Sequence, residues 1–364
     1  MKHRPLPEEV RDMMRRGVKE KVFPGACLAI WHRGKSYLEA FGWQEFYPAP
    51  QKNSPYVFYD LASLTKPLAT TLCLMRLLSE GKISLDDELG RFFNAPFWFE
   101  KATIADLLAH QAGFPDHRPY FVRLLTYPLE KRKEIICTWI LKEPLAYPLG
   151  RKQVYSDLGF IILGHLIEKI AQKELDCFFR ETINLLGLNP LKILFSPVRA
   201  GIPKEKCAAT EFCPWRGKLI KGEVHDENSW ALGGAAGHAG LFGSAEEVLK
   251  LLVILLKAYE GEAKAFLNQD LVQTFWDWQS KAGIRALGFD RPRKESSSAG
   301  GLISRASLGH LGFTGTSFWI DTQKELVILL LSNRVHPSRE NKRIKGFRPA
   351  LHDLIVKKIC KFSV

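Results

Sequence analysis

The chain has no uninterrupted apolar run of the roughly eighteen residues that would cross a bilayer. Its longest candidates, Val248–Leu256 and Leu326–Leu331, are far shorter. It also lacks an apolar stretch near its start. Met1–Glu20 is charged throughout and is not followed by a small-residue cleavage site, which argues against export and places the protein in the cytoplasm. There is no Cys-x-x-Cys pair, no fixed-period repeat and no low-complexity linker. The seven cysteines are scattered and odd in number, so reduced thiols are expected rather than a disulfide framework. Cys207 and Cys213 are close in sequence, but no second pair at ligand spacing follows them. Neither a metal nor an organic cofactor is called for.

What is present is ordinary for a globular protein: 364 residues, 46% hydrophobic and 25% charged. That length exceeds what a single core usually supports, so two lobes or two domains are expected. The net charge of +13 permits an anionic partner. Most basic residues are interspersed with acids. The exception is Arg334 to Lys361, which holds Arg339, Lys342, Arg343, Lys345, Arg348, Lys357, Lys358 and Lys361. Without interleaved aromatics or a nucleic-acid module, this stretch reads as an exposed basic tail and not as a specific nucleic-acid site. Nothing in the sequence signals an oligomeric state.

Strand patterns lie at both ends. Residues 25–42 read as a hairpin turning at His32-Arg33-Gly34-Lys35, and His310–Phe313, Thr316–Ile320 and Leu326–Leu331 read as strands. Gly34-Lys35-Ser36 imitates the end of a phosphate loop, but Ala29 stands where that loop needs glycine. The middle is helical: residues 64–79 closed by Gly81, then Ile104–Ala109, Lys131–Leu141 and Leu158–Ala171. A glycine-rich run, residues 232–240, leads into a helix over Ala245–Ala258. The pattern predicts an α/β fold of the α+β type. An antiparallel sheet flanked by helices would be built from both termini, with an all-helical domain inserted. Residues 1–66 and 230–364 would form the sheet domain and 67–229 the helical one, with a cleft between them.

Three places can carry chemistry. In Ser63-Leu64-Thr65-Lys66 a helix entry would put both polar side chains on one face, one turn apart. A desolvated lysine with lowered pKa can take the serine proton, and free N–H groups there can receive an anion. Pro67 suits a first turn, where no amide hydrogen is needed. The tetrapeptide alone says little, because Ser79-Glu80-Gly81-Lys82 matches it at the exit of the same helix. Tyr155-Ser156-Asp157 sits at a loop–helix junction, where a phenol beside a cation can shuttle protons; alone it reads as a rim aromatic. In His310-Leu311-Gly312 the first and third residues share a strand face, and the glycine leaves room for a ligand beside the backbone.

In this order and spacing the three sites resemble the serine β-lactamases, DD-peptidases and related esterases, whose Ser-x-x-Lys signature is well known. The resemblance runs from Phe23-Pro24-Gly25 to Leu331-Ser332-Asn333-Arg334. It takes in Tyr59-Asp60-Leu61-Ala62, Leu107-Leu108-Ala109-His110-Gln111-Ala112-Gly113, Gly237-His238-Ala239-Gly240-Leu241-Phe242 and Gly312-Phe313-Thr314-Gly315-Thr316-Ser317. It is similar above all to the branch holding class C β-lactamases, D-amino-acid-specific peptidases and family VIII-type carboxylesterases. The resemblance implies a β-lactamase/transpeptidase-like fold. It also implies that Ser63 is acylated, that Lys66 activates it, that Tyr155 is the general base, and that the backbone N–H groups of Ser63 and Phe313 form the oxyanion hole.

Two positions depart from the family pattern. Asp157 stands where many members carry Asn. A carboxylate only accepts, would favour charged Lys66 if near it, and disfavours β-lactam hydrolysis; alternatively it caps the following helix. His310 stands where many carry Lys and would be a conditional cation, losing a substrate carboxylate as pH rises past its pKa. Gly312 completes the substrate-binding set. His238 reads as a buried histidine satisfied by backbone, and His225-Asp226 as a minor candidate. The function expected is amide or ester hydrolysis through an acyl-enzyme, on a small acylated substrate such as a D-amino-acid-containing peptide. A carboxylesterase for short-chain esters is the alternative. An inactive binding protein of the same fold is disfavoured by intact Ser63, Lys66 and Tyr155.

Overall fold

A computed structural model of the chain describes residues 2–280, 282–295 and 297–360. Lys361, the last cation of the basic stretch, lies outside them. The strand Gly25–His32 explains the architecture, because every one of its residues is buried. Successive side chains of a strand point to opposite faces, so burial throughout requires cover on both sides. Ala26, Leu28 and Ile30 pack with Val10 and Met14 of the helix Glu8–Lys19 and with Leu351 and Ile355 of the helix Ile344–Ile359. Cys27, Ala29 and Trp31 join the opposite cluster with Leu252 and Leu256 of the helix Ala245–Tyr259.

The neighbouring strand Leu326–Ser332 obeys the same alternation, and register sets Ile30 against Ile328 and Leu28 against Leu330. Among the described residues the full sheet has seven strands. Its main path runs His3–Arg4, Lys35–Glu45, Gly25–His32, Leu326–Ser332, Ser317–Asp321 and Leu308–Leu311. All neighbours on that path are antiparallel except His3–Arg4, which pairs parallel with Lys35–Glu45. Strands from both termini therefore form one sheet, as the pattern predicted. Arg33 and Gly34 both have positive φ (46° and 79°), which a two-residue hairpin turn matched to strand twist requires.

The helices Leu129–Leu141, Asp157–Ala171 and Leu175–Leu185 occupy the middle. One apolar cluster joins Leu72, Phe160 and Leu163 of this region to Leu252, Ala29 and Leu329 of the sheet side. The inserted segment is not all-helical. It carries the strands Ile193–Phe195, Ala209–Cys213 and Lys218–Lys221. Ile193–Phe195 and Tyr59–Asp60 both pair with Leu241–Gly243, so the residues just before Ser63 are fastened to those just after the glycine-rich run. Strands of two or three residues are too short to show periodicity. Among the described residues, no helix is long and apolar enough to cross a membrane.

Candidate active site

Ser63 lies in a short 3₁₀ turn, Ala62–Leu64, whose first residue, Ala62, has a φ of 48°. A left-handed alanine costs roughly 1–2 kcal/mol, so the surroundings must hold it. Buried Asp60 does so: one oxygen accepts from the Ala62 N–H at 2.8 Å and the other from the His225 N–H at 2.7 Å. Thr65 Oγ1 closes the turn on the Ala62 carbonyl at 2.6 Å. The chain then runs through one π-helical stretch, Lys66–Thr71, before α-helix begins at Leu72–Ser79. The regular helix expected over 64–79 is thus widened at its start, beside Pro67, whose ring nitrogen has no hydrogen to donate.

Lys66 is fully buried and its ammonium donates to Ser63 Oγ at 3.1 Å, Asp157 Oδ1 at 2.7 Å and the His238 carbonyl at 3.1 Å. The glycine-rich run delivers that carbonyl. A Cβ on Gly237 would stand 2.0 Å from the Phe160 carbonyl, so only glycine lets this loop cross the helix Asp157–Ala171 so closely. Burial works against charge on Lys66. The Asp157 charge, helped by the hydrogen bonds of Asp157 and of the Tyr155 oxygen, outweighs it and holds the ammonium above its usual range. The lowered lysine pKa expected from desolvation is therefore corrected: the neighbouring carboxylate reverses the sign. Asp157 in turn is held well below the ordinary carboxylate range, against burial, by Lys66 and then His117. His117 Nδ1 lies 3.5 Å from Asp157 Oδ2.

Tyr155 reaches the same point from the far side. Its ring centroid is 4.9 Å from Lys66 Nζ, and its hydroxyl interacts with Lys66 and Ser63. Burial raises the phenol pKa, with Lys66 pulling the other way. His110 brackets the tyrosine. Its carbonyl accepts from Val154 N–H at 2.9 Å, its Nδ1 accepts from Ser156 N–H at 3.1 Å, and its ring lies 4.7 Å from that of Tyr155. Burial drives its imidazole well below the usual value, so it is neutral. The cap of the following helix is Ser156, whose Oγ accepts from Leu158 N–H at 3.1 Å, leaving Asp157 free to face Lys66.

The third site flanks Ser63 from the sheet edge. Thr314 Oγ1 donates to the Asp60 carbonyl at 2.7 Å and Thr316 Oγ1 to the Leu61 carbonyl at 3.0 Å, so the turn bearing Phe313 is tied to the turn bearing Ser63. The space beside Gly312 is taken by protein: a Cβ there would lie 2.0 Å from Thr316 Oγ1 and 2.7 Å from the Leu61 carbonyl. The missing Cβ therefore serves this packing contact, while Gly312 also lines the cavity beside Ser63. His310 also differs from expectation. Burial, only partly opposed by Asp290, pushes its pKa down to about 4, so at neutral pH it is not a cation. Its Nδ1 lies 2.9 Å from the Leu311 carbonyl, to which the neutral ring donates, and its Nε2 has no partner among the described residues.

A cavity of about 1470 Å³ opens from Ser63, Tyr155, His310 and Gly312. Its wall includes Arg334, Arg339, Lys342, Lys345 and Arg348, which corrects the reading of this stretch as an exposed tail. Arg285 also lines it and stacks its guanidinium 5.2 Å from the Tyr155 ring centroid. Sequence reasoning gave His110, His117 and Arg285 no role. His110 lay within a quoted motif, whereas His117 and Arg285 sit in loops without a pattern. His238 Nε2 pairs with Asp226 at 2.8 Å, a carboxylate in place of the expected backbone, and His225 pairs with Glu211 at 3.0 Å.

The Beta-lactamase family profile matches residues 10–348. The chain is 30% identical over 348 residues to an N-acetylmuramyl-L-alanine amidase of Bacillus subtilis (strain 168), covering 86% of this chain and 78% of that one. It is 31% identical over 340 residues to a Salmonella typhi protein assigned as a D-alanyl-D-alanine carboxypeptidase, with the same coverage, 86% and 78%. The solved structure of EstCE1, a hydrolase with promiscuous acyltransferase activity, superposes with a TM-score of 0.70 at 21% identity, over 93% of this chain and 97% of that one.

Proposed function

The chain belongs to the Beta-lactamase family of serine hydrolases, and on that premise we propose that it cleaves an amide or ester bond through an acyl-enzyme on Ser63. The carrying observation is the Lys66 ammonium, bonded at once to Ser63 Oγ at 3.1 Å and Asp157 at 2.7 Å. At rest Lys66 is charged and Tyr155 is a phenol. The reactive form has one proton fewer. Asp157 favours leaving the remaining proton on Lys66, so Tyr155 acts as the base and Lys66 as the cation that steadies its phenolate.

Tyr155 takes the proton of Ser63 Oγ as the Oγ–carbon bond forms. It passes that proton to the departing nitrogen or oxygen as the bond to the leaving group breaks. Water then enters the same position, gives a proton to Tyr155 and displaces Ser63 Oγ, to which Tyr155 returns that proton. The carbonyl oxygen, negative in each tetrahedral intermediate, is received by the Ser63 and Phe313 N–H groups, each worth about 3 kcal/mol to such a site. The reading divides the chain into a sheet lobe, 1–66 with 230–364, and a helical lobe, 67–229, with Ser63 and Lys66 at their junction.

The names of the amidase and carboxypeptidase relatives support a small peptide substrate containing a D-amino acid. One observation favours short-chain esters instead. Asp157 is an acceptor-only carboxylate engaged with Lys66, so no side-chain amide there donates to a peptide carbonyl. Turnover of a D-alanyl peptide and of a short p-nitrophenyl ester by wild type and Ser63→Ala separates the two. Peptide cleavage lost in the mutant supports the peptidase. Ester cleavage without peptide cleavage supports the esterase, and activity surviving in Ser63→Ala contradicts both.

A further inference from the structure

The two oxygens of Asp157 serve two different bases. Oδ1 accepts from Lys66 Nζ at 2.7 Å, and Oδ2 lies 3.5 Å from His117 Nδ1. The Lys66 side chain has no exposed surface, whereas that of His117 is 45% exposed. One carboxylate therefore joins the ammonium beside Ser63 to an imidazole that bulk water can protonate. The loop bearing His117 is fastened to the start of the helix Asp157–Ala171. The Asp116 carbonyl accepts from the Asp157 N–H at 3.0 Å, and the Pro115 carbonyl from Ser156 Oγ at 2.6 Å. Asp226 and Glu227, at the start of the helix Glu227–Ala231, also face His117. Both are engaged elsewhere, Asp226 with His238 at 2.8 Å and Glu227 with Arg339 at 2.7 Å. On its own segment, Asp116 accepts from the His117 N–H at 2.8 Å and Arg118 pairs with Glu143 at 3.3 Å. The hydrogen bond to Asp157, then that carboxylate's charge, raise the His117 pKa against burial, so its charge changes near neutral pH.

A carboxylate shared by two cations favours a further proton less than one that faces a single cation. With His117 charged, Asp157 is partly neutralised, and Lys66 and Tyr155 between them lose a proton more readily. With His117 neutral, Asp157 acts on that couple undiminished. The link is reciprocal, because loss of a proton from the couple favours charge on His117. The half-exposed imidazole is screened by water and salt. The effect therefore belongs at the low end of coupling between sites, about fivefold.

We propose that His117 is a positioning residue for the acylation of Ser63: through Asp157, its charge sets how readily Lys66 and Tyr155 reach the reactive form. Rising pH deprotonates the couple but also strips His117 of its charge, and the second effect opposes the first. The rate then climbs less steeply across neutral pH than a single titrating base allows. This rests on the acyl-enzyme reading above, and His117 acts through Asp157 and not on the substrate.

The test measures kcat/KM for an uncharged activated ester, corrected for the blank, from about pH 5.5 to about pH 10 in wild type, His117→Asn and His117→Lys. The wild-type rising limb should show a shallow stretch near neutrality. His117→Asn should rise with unit slope, about fivefold below wild type at about pH 6 and within about twofold of it at about pH 9. His117→Lys keeps its charge over most of that range, so it should match wild type at about pH 6 and exceed it about fivefold at about pH 9. An NMR titration of the His117 ring should give a lower midpoint in Asp157→Asn than in wild type. Melting temperatures identify any variant that fails to fold, and His117→Gln replaces His117→Asn if the latter does. Profiles of one shape in all three proteins, a loss in His117→Asn that is equal at every pH, a His117→Lys that behaves as His117→Asn, or a His117 midpoint unmoved by Asp157→Asn overturns the proposal. Absence of any Ser63 adduct in wild type overturns the acyl-enzyme reading instead.

Discussion

Asp157→Asn removes one charge from the centre of the site while keeping the shape of the side chain. Asp157 raises the pKa of both Lys66 and Tyr155, the two groups from which the reactive form has lost a proton. With both held high, few molecules are in that form at pH 7, and kcat/KM climbs as pH rises. At a charge separation of about 4 Å and an effective dielectric of about 20, the Lys66–Asp157 pair interacts by about 4 kcal/mol. Water entering the site and the retained bonds to Ser63 Oγ and the His238 carbonyl absorb part of that. We expect the rising limb of log kcat/KM to move towards acid, with a gain at pH 7 of at least about tenfold. The assay is the initial hydrolysis rate of an activated ester, corrected for the blank, from about pH 6 to pH 10. A limb that stays in place, or moves towards alkali, refutes the assignment of Asp157 as the group that keeps Lys66 charged.

Tyr155→Phe should lower kcat by about 10²–10⁴-fold with a melting temperature near wild type, and a smaller loss in a stopped-flow ester assay removes the phenol from proton transfer. Gly312→Ala forces a methyl to within 2.0 Å of Thr316 Oγ1, which should cost about 1–3 kcal/mol in denaturant titration. Activity should fall further than stability, because the displaced turn carries Phe313. His110→Phe strips the Ser156 N–H of its 3.1 Å acceptor and should cost about 1–3 kcal/mol by urea unfolding. Acid should destabilise the wild type in part through Asp157. Its folded pKa is depressed, so its contribution is complete above the unfolded carboxylate value of about 4 and is lost as pH falls towards the folded one, a loss absent from Asp157→Asn.

The sheet was legible because Gly25–His32 and Leu326–Ser332 are long enough to show their character, and because Arg33-Gly34 is a turn by its own chemistry. Ser63, Lys66 and Tyr155 were legible as a set through their order, and the structure brings them together. Charge state was not, because Lys66 and Asp157 are far apart in sequence and only the folded distance of 2.7 Å decides which of burial and Coulomb attraction prevails. The burial of His310 was hidden in the same way: a strand residue does not announce which neighbours desolvate it. The basic stretch deceived for a related reason. Charge density along a sequence says nothing of direction, and the turn after Leu326–Ser332 and the helix Ile344–Ile359 bring Arg334 and Arg348 to the cavity wall. Short strands such as Ile193–Phe195 have no period to read, so the insertion looked wholly helical.

The central claim is a covalent intermediate on Ser63, and mass spectrometry of the intact protein, quenched early after mixing with an activated ester and with a β-lactam, tests it most directly. The account predicts a mass increase equal to the acyl group, located by proteolysis to the peptide holding Ser63 and absent from Ser63→Ala. An unmodified wild type with both reagents while hydrolysis proceeds, or an adduct that persists in Ser63→Ala, would contradict it.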